Sequence, residues 1–447
     1  MEKFRQLQLG LIIAVSLHAF DELVLIIALP TIVKDLGGGD WYGVALASYV
    51  LTSLIGIVWA GGSLDQRGPL RVFLIGYGLF LVGLLIAALA TDIYGFMLAR
   101  ALQGIGGGIS WTVAYAVTNI VLPASDKPRM IAWLDSAWVI PSLLAPTIGG
   151  YLIDYLDWRW IFAGQIPVLV LAGFLLYPHL KRLNKEPDQS QRISHLITAI
   201  RLSIGAALIV TCLGREFGWQ WLGLPLAFII GWRPLLSIMP KDFWLARAGL
   251  PAAIVCHFLI FFVFDGAEIF LPLMLIELRG ISSSISGLAF TCAAISWVAA
   301  SFIQASLVDR WQYWQSLSLG MILVVIAIGM LSTLLIQTIP YWIVYPAWTV
   351  GGFGMGLAFN ALTTATMEYT EKGKEGSTST VTGIAASLGI GLAAGLGGAI
   401  YNQMHLADYA LDQALAVIWL ITGLVGLFTI WLILLRFRQE PRSDGAA

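Results

Sequence analysis

Charge is what this sequence most lacks. Asp, Glu, Lys and Arg together make up 11% of its 447 residues, whereas a soluble domain carries about 25% to keep its surface wet. A water-soluble enzyme is close to excluded on that ground. Disorder is excluded as well, because disordered chains are poor in apolar residues and this one is 58% hydrophobic. The formal net charge of -1 offers no basic surface for nucleic acid. Cysteine is scarce: Cys212, Cys256 and Cys292 all sit inside apolar stretches, as neither a disulfide framework nor a metal set. No paired His and Cys ligands, nucleophile triad or cofactor motif is present, so no enzyme activity, metal or cofactor is expected.

What is plentiful is apolar sequence, with a mean hydropathy of +0.83. A membrane span takes roughly 20 apolar residues; with its loop it takes about 30, so the chain has room for roughly 12 to 15 spans. The first apolar stretch is too long for a cleaved signal peptide, contains acids and is followed by no small-residue cleavage site, so it reads as the first span. Six runs lie near 8–33, 41–64, 70–91, 93–122, 128–155 and 158–178. The most polar stretch follows, His179 to Ser194, with Lys181, Arg182, Lys185, Glu186, Asp188 and Arg192. It reads as a solvated linker. Six further runs lie near 248–277, 284–308, 314–337, 341–367, 378–404 and 412–435. Between linker and second set sits a short pair near 195–214 and 217–238, interrupted by Arg201, Pro225 and Arg233. Both members cross the membrane, giving fourteen spans, or both form a re-entrant or interfacial hairpin, giving twelve. The expected fold is all-α and integral to the membrane. It has an N-terminal six-helix bundle (1–178), a linker with a short helix pair (179–247) and a C-terminal six-helix bundle (248–447).

Basic residues in loops set the orientation, because they accumulate on the cytoplasmic side. Lys3, Arg5, Arg67, Arg71, Lys127, Arg129, the linker bases, Arg233, Lys241, Arg247, Arg310, Lys372, Lys374, Arg436, Arg438 and Arg442 fall on one side. Against them stand Lys34, Arg159, Arg215 and Arg279. Both termini and the linker are therefore expected in the cytoplasm, with the chain in the plasma or inner membrane as a monomer.

The two halves echo each other. Phe20-Asp21-Glu22 followed by Ala28-Leu29-Pro30 is matched by Phe264-Asp265-Gly266-Ala267-Glu268 followed by Phe270-Leu271-Pro272. The run from Gly61 to Gly68, with Asp65, is matched by Ala305 to Gln312, with Asp309. Two pseudo-symmetric six-helix halves describe a secondary transporter whose substrate site lies near the midplane. These stretches resemble the major facilitator superfamily, specifically its drug/proton antiporters of the 14-helix kind. Asp21 to Pro30 is similar to that family's first-helix motif, and Gly61 to Arg71 to its loop motif between helices two and three. Arg100-Ala101-Leu102-Gln103-Gly104 resembles the fourth-helix motif, and Ala145-Pro146-Thr147-Ile148-Gly149-Gly150 the antiporter motif of the fifth. Trp158-Arg159-Trp160-Ile161-Phe162 resembles the sequence that follows.

The resemblance implies a proton-coupled antiporter that exports amphipathic, cationic small molecules by alternating access. Its partners would be the substrate, protons and the lipid bilayer. A same-fold carrier of a metabolite, sugar or lipid is the alternative, ahead of a non-transporting receptor or scaffold.

Charges inside a bilayer cost roughly 2.5–3.5 kcal/mol each on insertion scales, which makes them functional candidates. Asp21 and Arg100 fall at similar depth. Either Arg100 holds the acid ionised for a cation to compete for, or the two form a structural ion pair. Asp265 and Glu268 are spaced i, i+3 and share a helix face. Two acids so close in low dielectric do not both ionise cheaply, so one is expected to hold a proton near neutral pH. Glu22, about 100° around the helix from Asp21, and Asp135, within the fifth span, are further candidates. His18 and His257 read as packing residues or proton carriers. Asp65, Arg67, Gly68 and Arg71 read as a charged latch at a cytoplasmic loop, and Gln103 belongs to the fourth-helix motif. Pro146, Gly149 and Gly150 read as a helix kink that accompanies antiport in the resembled family. Gly104, Gly106, Gly107 and Gly108 sit mid-helix and suit close packing rather than a nucleotide loop. Trp133, Trp138, Trp297 and Trp348 fall inside spans, where an indole can stack on a planar or cationic substrate.

Overall fold

The computed structural model describes residues 2–121, 134, 137–183, 194–214, 220–240, 242–307, 310–370 and 375–438. Among them every regular element is helical. Fourteen helices follow one another: α1 (Glu2–Asp35), α2 (Tyr42–Ala60), α3 (Arg67–Ala88), α4 (Ile93–Val121), α5 (Val139–Tyr155), α6 (Arg159–Arg182), α7 (Ser194–Gly214), α8 (Gln220–Ile238), α9 (Leu250–Leu278), α10 (Ser283–Leu307), α11 (Tyr313–Thr333), α12 (Val344–Glu368), α13 (Glu375–Leu406) and α14 (Leu411–Arg436). Nine of the described helices are long and apolar enough to cross a membrane. Large apolar side chains such as Phe174 and Phe302 are 77% and 73% exposed. Water would not tolerate so many of these, whereas lipid favours them.

Local sequence explains where the helices break. Gly68 takes φ 74°, ψ 159° and is followed by Pro69, so an otherwise continuous helix from Tyr42 to Ala88 divides into α2 and α3. A Cβ there would meet the steric penalty that glycine escapes. Asp92 accepts hydrogen bonds from the backbone of Tyr94 (3.0 Å) and Gly95 (2.9 Å), capping α4. Pro251 opens α9, where its missing N–H costs nothing. Pro30 lies inside α1, which continues to Asp35. Neighbouring helices stabilise such a proline inside a membrane helix, and Lys34 in the last turn suits the negative end of the helix dipole.

The chain divides into two compact units, one of residues 1–212, 217–234 and 282–287, the other of residues 213–216, 235–281 and 288–447. In the first, α1 packs on α4, α5 and α6, and α4 packs along α2 and α3. The glycines of α4 make that close approach possible. A methyl at Gly104 would collide with the Tyr49 carbonyl and the Thr52 hydroxyl, and one at Gly106 would lie 2.5 Å from the Gly76 carbonyl. The short central pair is helical over 21 and 19 residues. At 1.5 Å per residue each is about 30 Å long, although their apolar cores, Ile200–Ile209 and Leu222–Ser237, are shorter than those of the other helices. Ser203 of α7 donates to the Leu51 carbonyl of α2 at 2.6 Å. In the second unit, α9 lies against α12, α13 and α14, and α11 against α12 and α14.

Candidate functional site

The first unit holds a buried polar network in otherwise apolar surroundings. Asp21 and Arg100 are both fully buried, with Arg100 Nη1 2.7 Å from Asp21 Oδ2. The other carboxylate oxygen accepts from Gln103 Nε2 (3.2 Å) and Gln165 Nε2 (3.1 Å). Arg100 Nη1 also donates to Gln103 Oε1 at 2.9 Å. A buried ion pair persists only when its remaining hydrogen-bonding capacity is largely met, and the two glutamines meet it for the acid. Arg100 Nε and Nη2 make no hydrogen bond among the described residues. The Tyr49 ring covers the guanidinium at 4.3 Å.

Beside this network lies an aromatic cluster. His18, one turn before Asp21 on α1, shares a hydrogen bond through Nδ1 with the Tyr49 hydroxyl. Its ring lies 5.7 Å from Tyr49, 6.1 Å from Trp111 and 6.0 Å from Trp138. His18, Glu22, Trp111 and Trp138 are half-buried, unlike Asp21.

The second unit holds a parallel arrangement. Glu268 is buried and accepts the Trp348 indole N–H at 3.0 Å. Trp348 stacks on Phe264 at 5.0 Å, and Phe264 meets Trp297 edge-on at 5.6 Å. Asp265 is half-buried in the same stretch of α9. His257 bonds to the Thr366 hydroxyl at 3.2 Å and meets Phe359 edge-on.

The structure thus joins Asp21, Arg100 and Gln103, and sets Glu22 one residue from that network. It places Glu268 against Trp348. Arg67 lies over the Trp59 ring at 5.5 Å, and Arg71 is exposed. Gly149 seats its backbone against Val24 of α1, and Gly150 against the backbone of Ser284. Asp135 and Trp133, and the side chains of Asp65 and Pro146, lie outside the described residues.

Three contributors escape a reading of the sequence. Gln165 and Tyr49 carry no motif, and a polar side chain amid the apolar run of α6 is the sole signal for Gln165. Asp154 accepts from Ser284 Oγ (2.7 Å) and from the backbone of Ser283 and Ser284 (3.2 and 3.1 Å), capping the first turn of α10 within the first unit.

Comparison with known proteins gives the family. The Major Facilitator Superfamily model matches residues 11–394. The chain belongs to the major facilitator superfamily. It is 24% identical over 406 residues to Multidrug resistance protein 3 of Bacillus subtilis (strain 168), covering 89% of this chain and 79% of that protein. It is 21% identical over 456 residues to the multidrug efflux pump SdrM of Staphylococcus aureus (strain N315), covering 98% of each. Among solved structures, the partially occluded inward-open xylose transporter XylE from E. coli is similar with a TM-score of 0.67 at 13% identity, over 100% of both chains. An auto-inhibited POT family peptide transporter is similar with a TM-score of 0.71 at 14% identity, over 99% and 98%. These structures share the fold. The superfamily member described here is a multi-pass membrane transporter.

Proposed function

We propose that this transporter is a proton-coupled antiporter that exports amphipathic, cationic small molecules by alternating access. The observation that carries the reading is that each unit sets an acid at an aromatic cluster: Glu22, half-buried, lies within electrostatic reach of Tyr49, and Glu268 accepts from the Trp348 indole that stacks on Phe264. Acids attract a cation and bind a proton, and aromatic faces add to the attraction for a cation. One site that takes either species in turn exchanges them, and that exchange is antiport. The multidrug names of the relatives support the export direction and the breadth of substrate. The bundles are assigned to 1–178 and 248–447, with 179–247 as linker and short pair, and the protein acts as a monomer in the plasma membrane with both termini in the cytoplasm.

The test is transport in proteoliposomes under an imposed pH gradient. A cationic dye such as ethidium should accumulate against its gradient, and collapsing the pH gradient should stop it. Accumulation of a sugar or lipid instead, with the dye untouched, would reassign the substrate class.

A further inference from the structure

Proton-coupled antiport requires at least one group that gains and loses a proton during the cycle, and the first unit offers two candidates beside each other. Asp21 is badly placed for that task. Its carboxylate is fully buried and takes hydrogen bonds from Arg100, Gln103 and Gln165, and a proton on it would disrupt charge-assisted bonds. His18 stands in a different setting. It is half-buried, its ring is enclosed by Tyr49, Trp111 and Trp138, and its Nδ1 meets the Tyr49 hydroxyl. Gly107 makes this bond possible: a Cβ there would lie 2.7 Å from the Tyr49 hydroxyl oxygen and 2.8 Å from His18 Nδ1.

We propose that His18 is a proton-binding group of the first unit and that Tyr49, a positioning residue, passes its charge state to the Asp21–Arg100 pair. The proposal rests on the antiport reading above. In the neutral imidazole the proton sits on Nε2 and the Tyr49 hydroxyl donates to Nδ1. A proton arriving from water adds to the Nδ1 lone pair. Nδ1–H then donates to the Tyr49 oxygen, and the hydroxyl hydrogen turns away. No covalent bond other than the new N–H forms, and release reverses the step.

The surroundings suit a transient cation. The Tyr49 ring stacks on the imidazole, with Trp111 tilted and Trp138 edge-on, all at about 6 Å, and an aromatic face at this distance attracts a cation. The charged groups near the imidazole are Asp21 and Glu22 on its own helix and Arg100 on α4. From α2 comes the Tyr49 hydroxyl, and the Trp138 ring precedes α5. Tyr49 touches both sites, holding His18 by its hydroxyl and covering Arg100 with its ring. Reversal of the hydrogen bond therefore acts on the residue that shields the ion pair.

The test uses the full-length protein in nanodiscs with 15N-labelled histidine. The chain has five histidines, so the spectrum of His18→Gln assigns the His18 signal by its loss, and perturbation by Gly107→Ala assigns it independently. The nitrogen shifts report tautomer and charge directly. The expected result is an Nε2–H imidazole that becomes doubly protonated as the pH falls from about 9 to about 3.5, a range set wide of the free histidine value because burial and the nearby Arg100 oppose the charged form. Tyr49→Phe, which loses the charge-assisted bond, should bind the proton roughly three- to tenfold less tightly. In proteoliposomes His18→Gln should lose ethidium accumulation driven by the pH gradient. A His18 signal that keeps one protonation state across that range, or wild-type accumulation by His18→Gln, overturns the proposal. If the wild-type protein ignores the pH gradient, the antiport reading fails instead, and the nitrogen titration alone decides whether His18 binds a proton.

Discussion

The guanidinium of Arg100 lies 4.3 Å from the centre of the Tyr49 ring, and the same arginine holds Asp21 at 2.7 Å. Aromatic cover, cation and acid form one layered contact between α1, α2 and α4. Nothing in it is exposed to solvent. The contact ties the first-helix and fourth-helix motifs into one unit, which explains why changes to either should act together.

The first prediction concerns that pair. Asp21→Asn leaves the buried Arg100 without its counter-charge, and Arg100→Met does the reverse to Asp21. Each should cost about 3–5 kcal/mol, whereas replacing both leaves no orphaned charge. The double variant Asp21→Asn/Arg100→Met should therefore regain much of the thermal stability that each single variant loses, read by temperature-dependent size exclusion in detergent. Gradient-driven transport should be lost in all three. A double variant that pumps at the wild-type rate would make the pair structural and nothing more.

A second prediction sets two glycines against each other. Gly104→Ala pushes a methyl onto the Tyr49 carbonyl and Thr52 hydroxyl, while Gly78→Ala meets nothing within 4 Å. Overpacking of this kind costs about 1–3 kcal/mol. An open helical glycine replaced by alanine gains roughly 0.5–1 kcal/mol instead. Thermal unfolding should separate the two variants in opposite directions from wild type. Equal stability would mean that α2 and α4 are not in backbone contact.

How far the sequence alone foretells these contacts follows from the cost of each group. Hydropathy fixes the helices, because leaving apolar runs of this length in water is prohibitive. Asp21 and Arg100 were legible as partners because charges inside a membrane helix must pair. Gln165 was not, since a neutral amide in an apolar run demands no particular partner. Trp348 was ambiguous for another reason: an indole serves equally at the interface or in the core, and its bond to Glu268 depends on how α9 meets α12. The i, i+3 spacing of Asp265 and Glu268 suggested a pair, but spacing does not reveal that Trp348 engages one of them.

The third prediction tests that bond. Trp348→Phe keeps an aromatic ring against Phe264 but removes the N–H that Glu268 accepts. A buried acceptor left unsatisfied costs about 1–3 kcal/mol. Glu268→Gln retains a carbonyl oxygen for the indole and should be the milder change. Thermal stability should rank wild type, Glu268→Gln and Trp348→Phe in falling order. If Trp348→Phe matches wild type, the indole bond does not hold Glu268 in place.

The last prediction separates the roles of the two acids on α9. Glu268 is buried and tethered to Trp348, whereas Asp265 is half-buried. A half-buried acid trades its proton for a cation more readily than one tethered to an indole, while a tethered acid sets the local field in which that trade occurs. The amide series is wild type, Asp265→Asn, Glu268→Gln and the double variant, each measured for ethidium binding between about pH 5 and 9. Wild-type binding should strengthen as pH rises, because a deprotonated acid attracts the cation that a protonated one does not. If Asp265 is the exchanging acid, Asp265→Asn should flatten most of that rise. Glu268→Gln should displace the curve along the pH axis while leaving its steepness, because removing a nearby negative charge changes how readily Asp265 gives up its proton. The double variant should bind the dye weakly and equally at every pH. Four coincident curves would show that neither acid carries the coupled proton. A flat Glu268→Gln curve beside an unchanged Asp265→Asn curve would exchange the two roles, and the tethered acid would then be the one that titrates.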